Sequence, residues 1–181
     1  MKKLKCSLIL LILNLIINNV LSMHKTLEFD SIKLEKYNKL SKQELDKKLL
    51  NILNKSNLDK NYLRKCVNLI IAGANINMQN KYGITTLMMV SMKGYLGLVK
   101  ALLEYTGKEP IDLNIQDENG YTALMEAAFY GHLEIVRILL ESENCKSPID
   151  LNLKNKCGNT ALDLAYINKK TDIEGLLNKY L

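Results

Sequence analysis

Two histidines and four cysteines carry most of the reactive side-chain chemistry available to this chain. A histidine works as a general base or a metal ligand only where an acid, a nucleophile or a second ligand is placed beside it. His132 follows Gly131 at an expected helix start, and His24 lies near the N-terminus. The pattern puts no partner near either, and His132 is expected to serve the repeat's own hydrogen bonds. The sequence contains no G-x-x-x-x-G-K-[ST], no H-E-x-x-H, no G-x-S-x-G and no cysteine pair at zinc spacing. The GKEP stretch at Gly107 is too short to cradle a phosphate. No catalytic residue, cofactor site or metal site is expected, and the chain is read as a non-enzyme.

The cysteines raise a question of compartment. Residues 1–22, MKKLKCSLILLILNLIINNVLS, place three lysines before an apolar run from Leu8 to Ile17 that only Asn14 interrupts. That is a secretory signal layout with a cleavage point expected after Ser22, and the run is short for a membrane span of about 20 residues. The expectation is therefore a secreted or periplasmic protein with no stable membrane insertion after cleavage. Cys6 precedes the apolar run and is not placed for lipid attachment. The other three, Cys66, Cys145 and Cys157, are an odd number, so at least one stays unpaired. Cys145 and Cys157 flank one junction, and a bond between them and two free thiols are both open. Asn54-Lys55-Ser56 matches the glycosylation acceptor pattern, a match short enough to arise by chance.

Removing residues 1–22 takes away Lys2, Lys3 and Lys5 and no acid, which lowers the formal charge from +6 to +3. The remaining lysines read as a solvated helical surface, because no basic cluster interleaves with aromatics, and nucleic acid is not expected as a partner.

The elements that hold these side chains repeat. YGITTLMMVSMKGYLGLVKALL from Tyr82, NGYTALMEAAFYGHLEIVRILL from Asn119 and CGNTALDLAYINKKTDIEGLL from Cys157 keep glycines and apolar residues in register. Gly83, Gly120 and Gly158 head the copies, and Asn77, Asn114 and Asn152 precede them by six residues. Spacing of this size means stacked supersecondary units. Each glycine is expected to end an extended segment in a tight turn, and Thr85, Thr122 and Thr160 to start a short helix. Gly94, Gly131 and, in the last copy, Lys169 stand where that helix ends. The second helix is more apolar: Leu98, Val99, Leu102 and Leu103, then Leu133, Ile135, Val136, Leu139 and Leu140. Such a pair cannot bury its faces alone, so neighbouring pairs must share a core. Cys66 falls where later copies have Val99 and Val136, and is expected to act as a small buried hydrophobe.

These residues resemble the ankyrin repeat, whose pattern joins a hairpin, a T-P-L-H-like helix start, an A-A-x-x-G-H helix end and an I-V-x-x-L-L second helix. GYTALMEAAFYGHLEIVRILL departs mainly in having Ala123 and Met125 where proline and histidine are usual. The resemblance implies a mainly α solenoid of stacked helix-turn-helix units joined by β-hairpin-like loops. It covers residues 41–181, with units at about 41–75, 76–112, 113–150 and 151–181, after a signal over 1–22 and a linker over 23–40. The first unit opens on a capping box of Ser41 and Glu44. The last has Asp163, Asn168 and Glu174 in place of Met125, Tyr130 and Val136, a polar face suited to a terminal cap. The loops EYTGKEPIDLN and ESENCKSPIDLN are longer than the family's usual connector and share P-I-D-L-N.

The resemblance also implies a binding face, made of hairpin tips and the outward side of the first helices. Position by position it falls on Lys81, Tyr82, Ile84, Met92 and Lys93, then Glu118, Asn119, Tyr121, Phe129 and Tyr130, and finally Lys156 and Asn159 with Ile167 and Asn168. Aromatic residues dominate interface hot spots, and Tyr82, Tyr121, Phe129 and Tyr130 gather here. The expected function is a non-catalytic, exported module that binds another protein as a monomer. The alternative is a regulatory or protective subunit of an exported enzyme.

Overall fold

A computed structural model describes residues 37–55, 59–105, 107, 109–143 and 145–181. The expected signal at 1–22, most of the 23–40 linker, Cys6, His24 and Ser56 lie outside the described residues. Within them are eight helices in four consecutive pairs: α1 Lys42–Leu53 with α2 Lys60–Ile71, α3 Thr86–Met92 with α4 Leu96–Leu103, α5 Ala123–Tyr130 with α6 Leu133–Leu140, and α7 Ala161–Ile167 with α8 Thr171–Leu177.

Each first helix starts on a side chain that accepts from a free backbone N–H of the opening turn. Ser41 Oγ accepts from Glu44 N at 3.3 Å, and Glu44 returns a carboxylate oxygen to Ser41 N at 2.8 Å, which holds the Glu44 carboxyl below its ordinary range. Thr85, Thr122 and Thr160 each accept from the N–H three residues on at 3.2 Å. In α3 the thioether of Met88 stands where a capping glutamate would, 3.4 Å from Thr85 N. Asp163 completes the box in α7, and that contact lowers its carboxyl.

The three head glycines occupy one backbone setting, at φ 77°, 81° and 81°. Their surroundings explain more than their freedom does. A Cβ at Gly83 would lie 2.9 Å from Glu118 N, and one at Gly120 would lie 2.9 Å from Asn155 Cα, so each hairpin presses against the backbone of the next. Gly158, in the last unit, meets nothing within 4 Å. At the helix ends Gly94 and Gly131 are left-handed, and Lys169 takes the same turn at φ 56°, the one non-glycine residue with positive φ among those described.

Packing runs along two rows. First helices α3, α5 and α7 lie one on the next, and second helices α2, α4, α6 and α8 form the other row. Between them sits a continuous core that includes Leu49, Leu63 and Ile70, then Val90 and Leu102, then Leu124, Ile135 and Leu139, and finally Ile173, none more than 2 % exposed. Cys66, Val99 and Val136 are fully buried at the same repeat position.

Amide side chains tie the connectors together. Asn77 donates to Pro110 O at 2.9 Å and accepts from Asp112 N at 2.8 Å; Asn114 does the same to Pro148 O and Asp150 N. Gln79 bridges Gly83 O and Gln116 O, and Gln116 bridges Gly120 O and Lys154 O. The recurrence of P-I-D-L-N follows from this geometry: its proline carbonyl and aspartate N–H dock on the asparagine of the connector before. Ile111 and Cys145 add a parallel bridge, with Lys146 N donating to Ile111 O at 2.7 Å.

Candidate functional site

Three hairpin tips stand in a row along the first-helix face, each folded around one side chain. Asn80 Oδ1 accepts from Tyr82 N and Ile84 N, Asp117 Oδ1 from Asn119 N and Tyr121 N, and Asn155 Oδ1 from Cys157 N and Asn159 N, at 2.7–3.0 Å. Neighbouring tips are then joined by backbone: Glu118 N donates to Tyr82 O at 3.0 Å and Lys156 N to Asn119 O at 2.9 Å. The row is preorganised, so a partner meeting it loses little entropy in ordering loops.

The expected binding residues divide into three groups. Lys81, Tyr82, Ile84, Met92 and Lys93 share a cavity of about 300 Å3 with Met88, Met89, Lys55 and Glu126. Lys81 Nζ lies 4.8 Å from the Tyr82 ring centre. Further along, Phe129 and Tyr130 meet edge to face at 5.0 Å, and Tyr130 stacks on His132 at 6.4 Å. Glu118, Asn119 and Tyr121, with Lys156 and Asn159, belong to the second and third tips and line no part of that cavity. Tyr82 and Tyr130 are 51 % and 49 % exposed, whereas Ile84, Tyr121 and Phe129 are half-buried against the core. Repeat position accounts for part of the difference. Met92 and Phe129 are half-covered, while Ile167, at the same position in the last described unit, is 59 % exposed.

His132 Nε2 lies 3.1 Å from Met92 O, a bond from the third unit to the second. A Cβ on Gly94 would fall 2.5 Å from the His132 ring, so the ring is seated over that glycine. Burial pushes the Cys66 thiol up to about 12, which leaves it without nucleophilic character. Cys145 and Cys157 are both free thiols: Cys145 Sγ donates to Ser142 O at 3.4 Å, and Cys157 is exposed in the last tip.

Glu126 is the site residue that the repeat pattern passes over. It occupies the α5 position filled by Met89 in α3 and Leu164 in α7, a lone carboxylate where its counterparts are apolar. That single-copy departure is the signal that would have found it. Burial, and secondly the charge of Asp117, raise its carboxyl from 4.5 to about 7. An acid raised in the folded chain holds its proton more tightly there than when unfolded. The stability it contributes is therefore full below about 4.5 and is lost as pH rises through about 7. Glu126→Met, restoring the type of Met89, is expected to flatten that slope and to stabilise the chain by about 1 kcal/mol at alkaline pH, a figure already reduced for partial solvent screening. Urea midpoints of both proteins below and above the Glu126 value check it, and parallel pH dependences would contradict it.

Among the described residues no helix is long and apolar enough to cross a membrane. A protein-family model described as ankyrin repeats, in three copies, matches residues 56–150 and again residues 109–180. No curated protein matches the sequence.

Proposed function

The chain belongs to the ankyrin-repeat family, whose members are in general protein-interaction modules, and from that premise we propose an exported, non-catalytic module that holds a partner protein on its hairpin and first-helix face. The observation that carries this reading is the half-exposed Tyr82 on a row of tips already locked by hydrogen bonds, with the half-exposed Tyr130 at the end of α5 beside that row. Large rigid aromatics at low ordering cost are what interface hot spots are made of. Export rests on the signal layout at the N-terminus, and a mature chain recovered outside the cytoplasm is expected to begin at Met23. A chain retaining residues 1–22 would remove that part of the proposal.

The test is Tyr82→Ala combined with Tyr130→Ala. Both rings are exposed enough for removal to spare the core. Capture of the partner from an extract of the source cells is expected to drop by about tenfold or more, with the thermal midpoint nearly unchanged. Unchanged capture by the folded double variant would overturn the reading.

A further inference from the structure

The row of first helices is interrupted at one place. α3, α5 and α7 pack in succession, whereas α1 packs mainly on α2, and it is α2 that meets α3. The cavity of about 300 Å3 lies where the end of α1 meets the second unit. Its lining of Leu53, Leu63, Met88 and Met89 is at most 7 % exposed. Unbranched thioethers of this kind re-pack around whatever apolar group enters.

The rim has a definite sign. Lys55, Lys81 and Lys93 are all exposed around the cavity, and none is in an ion pair among the described residues. The ammonium groups of Lys55 and Lys81 instead lie over the rings of Tyr62 and Tyr82, at 4.5 and 4.8 Å. The acid that lines the cavity, Glu126, is half-buried. A basic rim around an apolar hollow selects a ligand that has an apolar group between carboxylates, and repels a basic one.

We propose, resting on the reading that this face holds a partner protein, that the cavity takes one apolar side chain of an acidic segment of that partner, whose flanking carboxylates pair with Lys81, Lys93 and Lys55. The apolar group fills the space over Met88 and Met89, and the charges fix the direction and speed of approach.

The full chain is titrated against three end-blocked, dye-labelled peptides, Asp-Glu-Leu-Glu-Asp, Asp-Glu-Ser-Glu-Asp and Lys-Lys-Leu-Lys-Lys, with anisotropy as the readout. The acidic leucine peptide is expected to bind at least about tenfold more tightly than either of the others, and to weaken as salt is added. Lys81→Glu with Lys93→Glu, both at exposed positions, is expected to lower its affinity by about tenfold or more while the melting curve stays in place. Met92→Gln is expected to lower it through the apolar contact alone. Equal binding of the three peptides, no binding of the leucine peptide, or unchanged affinity in the lysine variant would overturn the proposal. So would equal competition by an oligothymidylate, which would mean that the rim reads negative charge of any kind, or a dimer of the chain itself that the lysine variant dissolves. Partner capture with Tyr130→Ala alone separates the two readings. Capture that depends on Tyr130 in a chain blind to the peptide leaves the binding function standing and removes only this inference.

Discussion

Gly120→Ala is expected to destabilise the chain by about 3 kcal/mol, and Gly158→Ala by only about 1 kcal/mol, although the two glycines share a φ of 81°. A left-handed turn penalises any Cβ, and that part is common to both. At Gly120 the added carbon also falls 2.9 Å from Asn155 Cα and 3.1 Å from Lys156 N, which are backbone atoms of the next hairpin. To relieve the clash, that hairpin must move away from Asn119 O, to which Lys156 N donates. The gap between the two substitutions thus measures how closely one unit is applied to the next. Urea unfolding of the two variants reads it directly, provided the slope with denaturant is unchanged. Equal losses would mean that the hairpins are not in contact.

Asn80→Ala carries the second large effect, about 2–4 kcal/mol. The Asn80 side chain, 8 % exposed, closes its own hairpin through Tyr82 N and Ile84 N and donates Nδ2 to Leu53 O at 3.0 Å, satisfying a carbonyl at the end of α1. Removing it leaves three backbone groups without that partner, and a buried polar group left unmade costs more than the bond contributed when made. Asn155 holds the corresponding hairpin in the last unit, but its Nδ2 has no partner among the described residues. Asn155→Ala is therefore expected to cost about 1–2 kcal/mol, the value of the local turn alone. Thermal midpoints of the two variants, compared at one pH, give the difference; a larger loss at Asn155 would contradict the link between α1 and the second unit.

What repeats in this chain was legible from its residues, and what occurs once was not. The threonine caps, the head glycines and the left-handed Lys169 are repeat positions, so one copy interprets another. Burial of Cys66 followed in the same way from Val99 and Val136. Asn80, Asp117 and Asn155 were equally readable, since each stands three residues before a head glycine, yet their hairpin role emerges only with the hydrogen bonds in view. Glu126 breaks the pattern in a single copy, and its raised carboxyl is a consequence of what surrounds it in space. The cavity beside α3 was hidden for a related reason. It lies where the end of α1 meets the second unit, and the first unit lacks the G-x-T start by which the other units could be aligned. The aromatic residues read as one group along the chain, but their exposure depends on the neighbouring unit, which half-buries Tyr121 and Phe129 and leaves Tyr82 and Tyr130 in solvent.

The central claim is that one face of the stack meets the partner. Benzoylphenylalanine placed at Tyr130 or Lys81, on the hairpin and first-helix face, and at Lys100 or Glu134, on exposed positions of the second helices, tests it by light-induced cross-linking in the source cells. The expected result is one partner-sized adduct from Tyr130 and Lys81 and none from Lys100 and Glu134. Adducts from Lys100 and Glu134, with none from Tyr130 and Lys81, would place the partner on the second-helix row and contradict the claim.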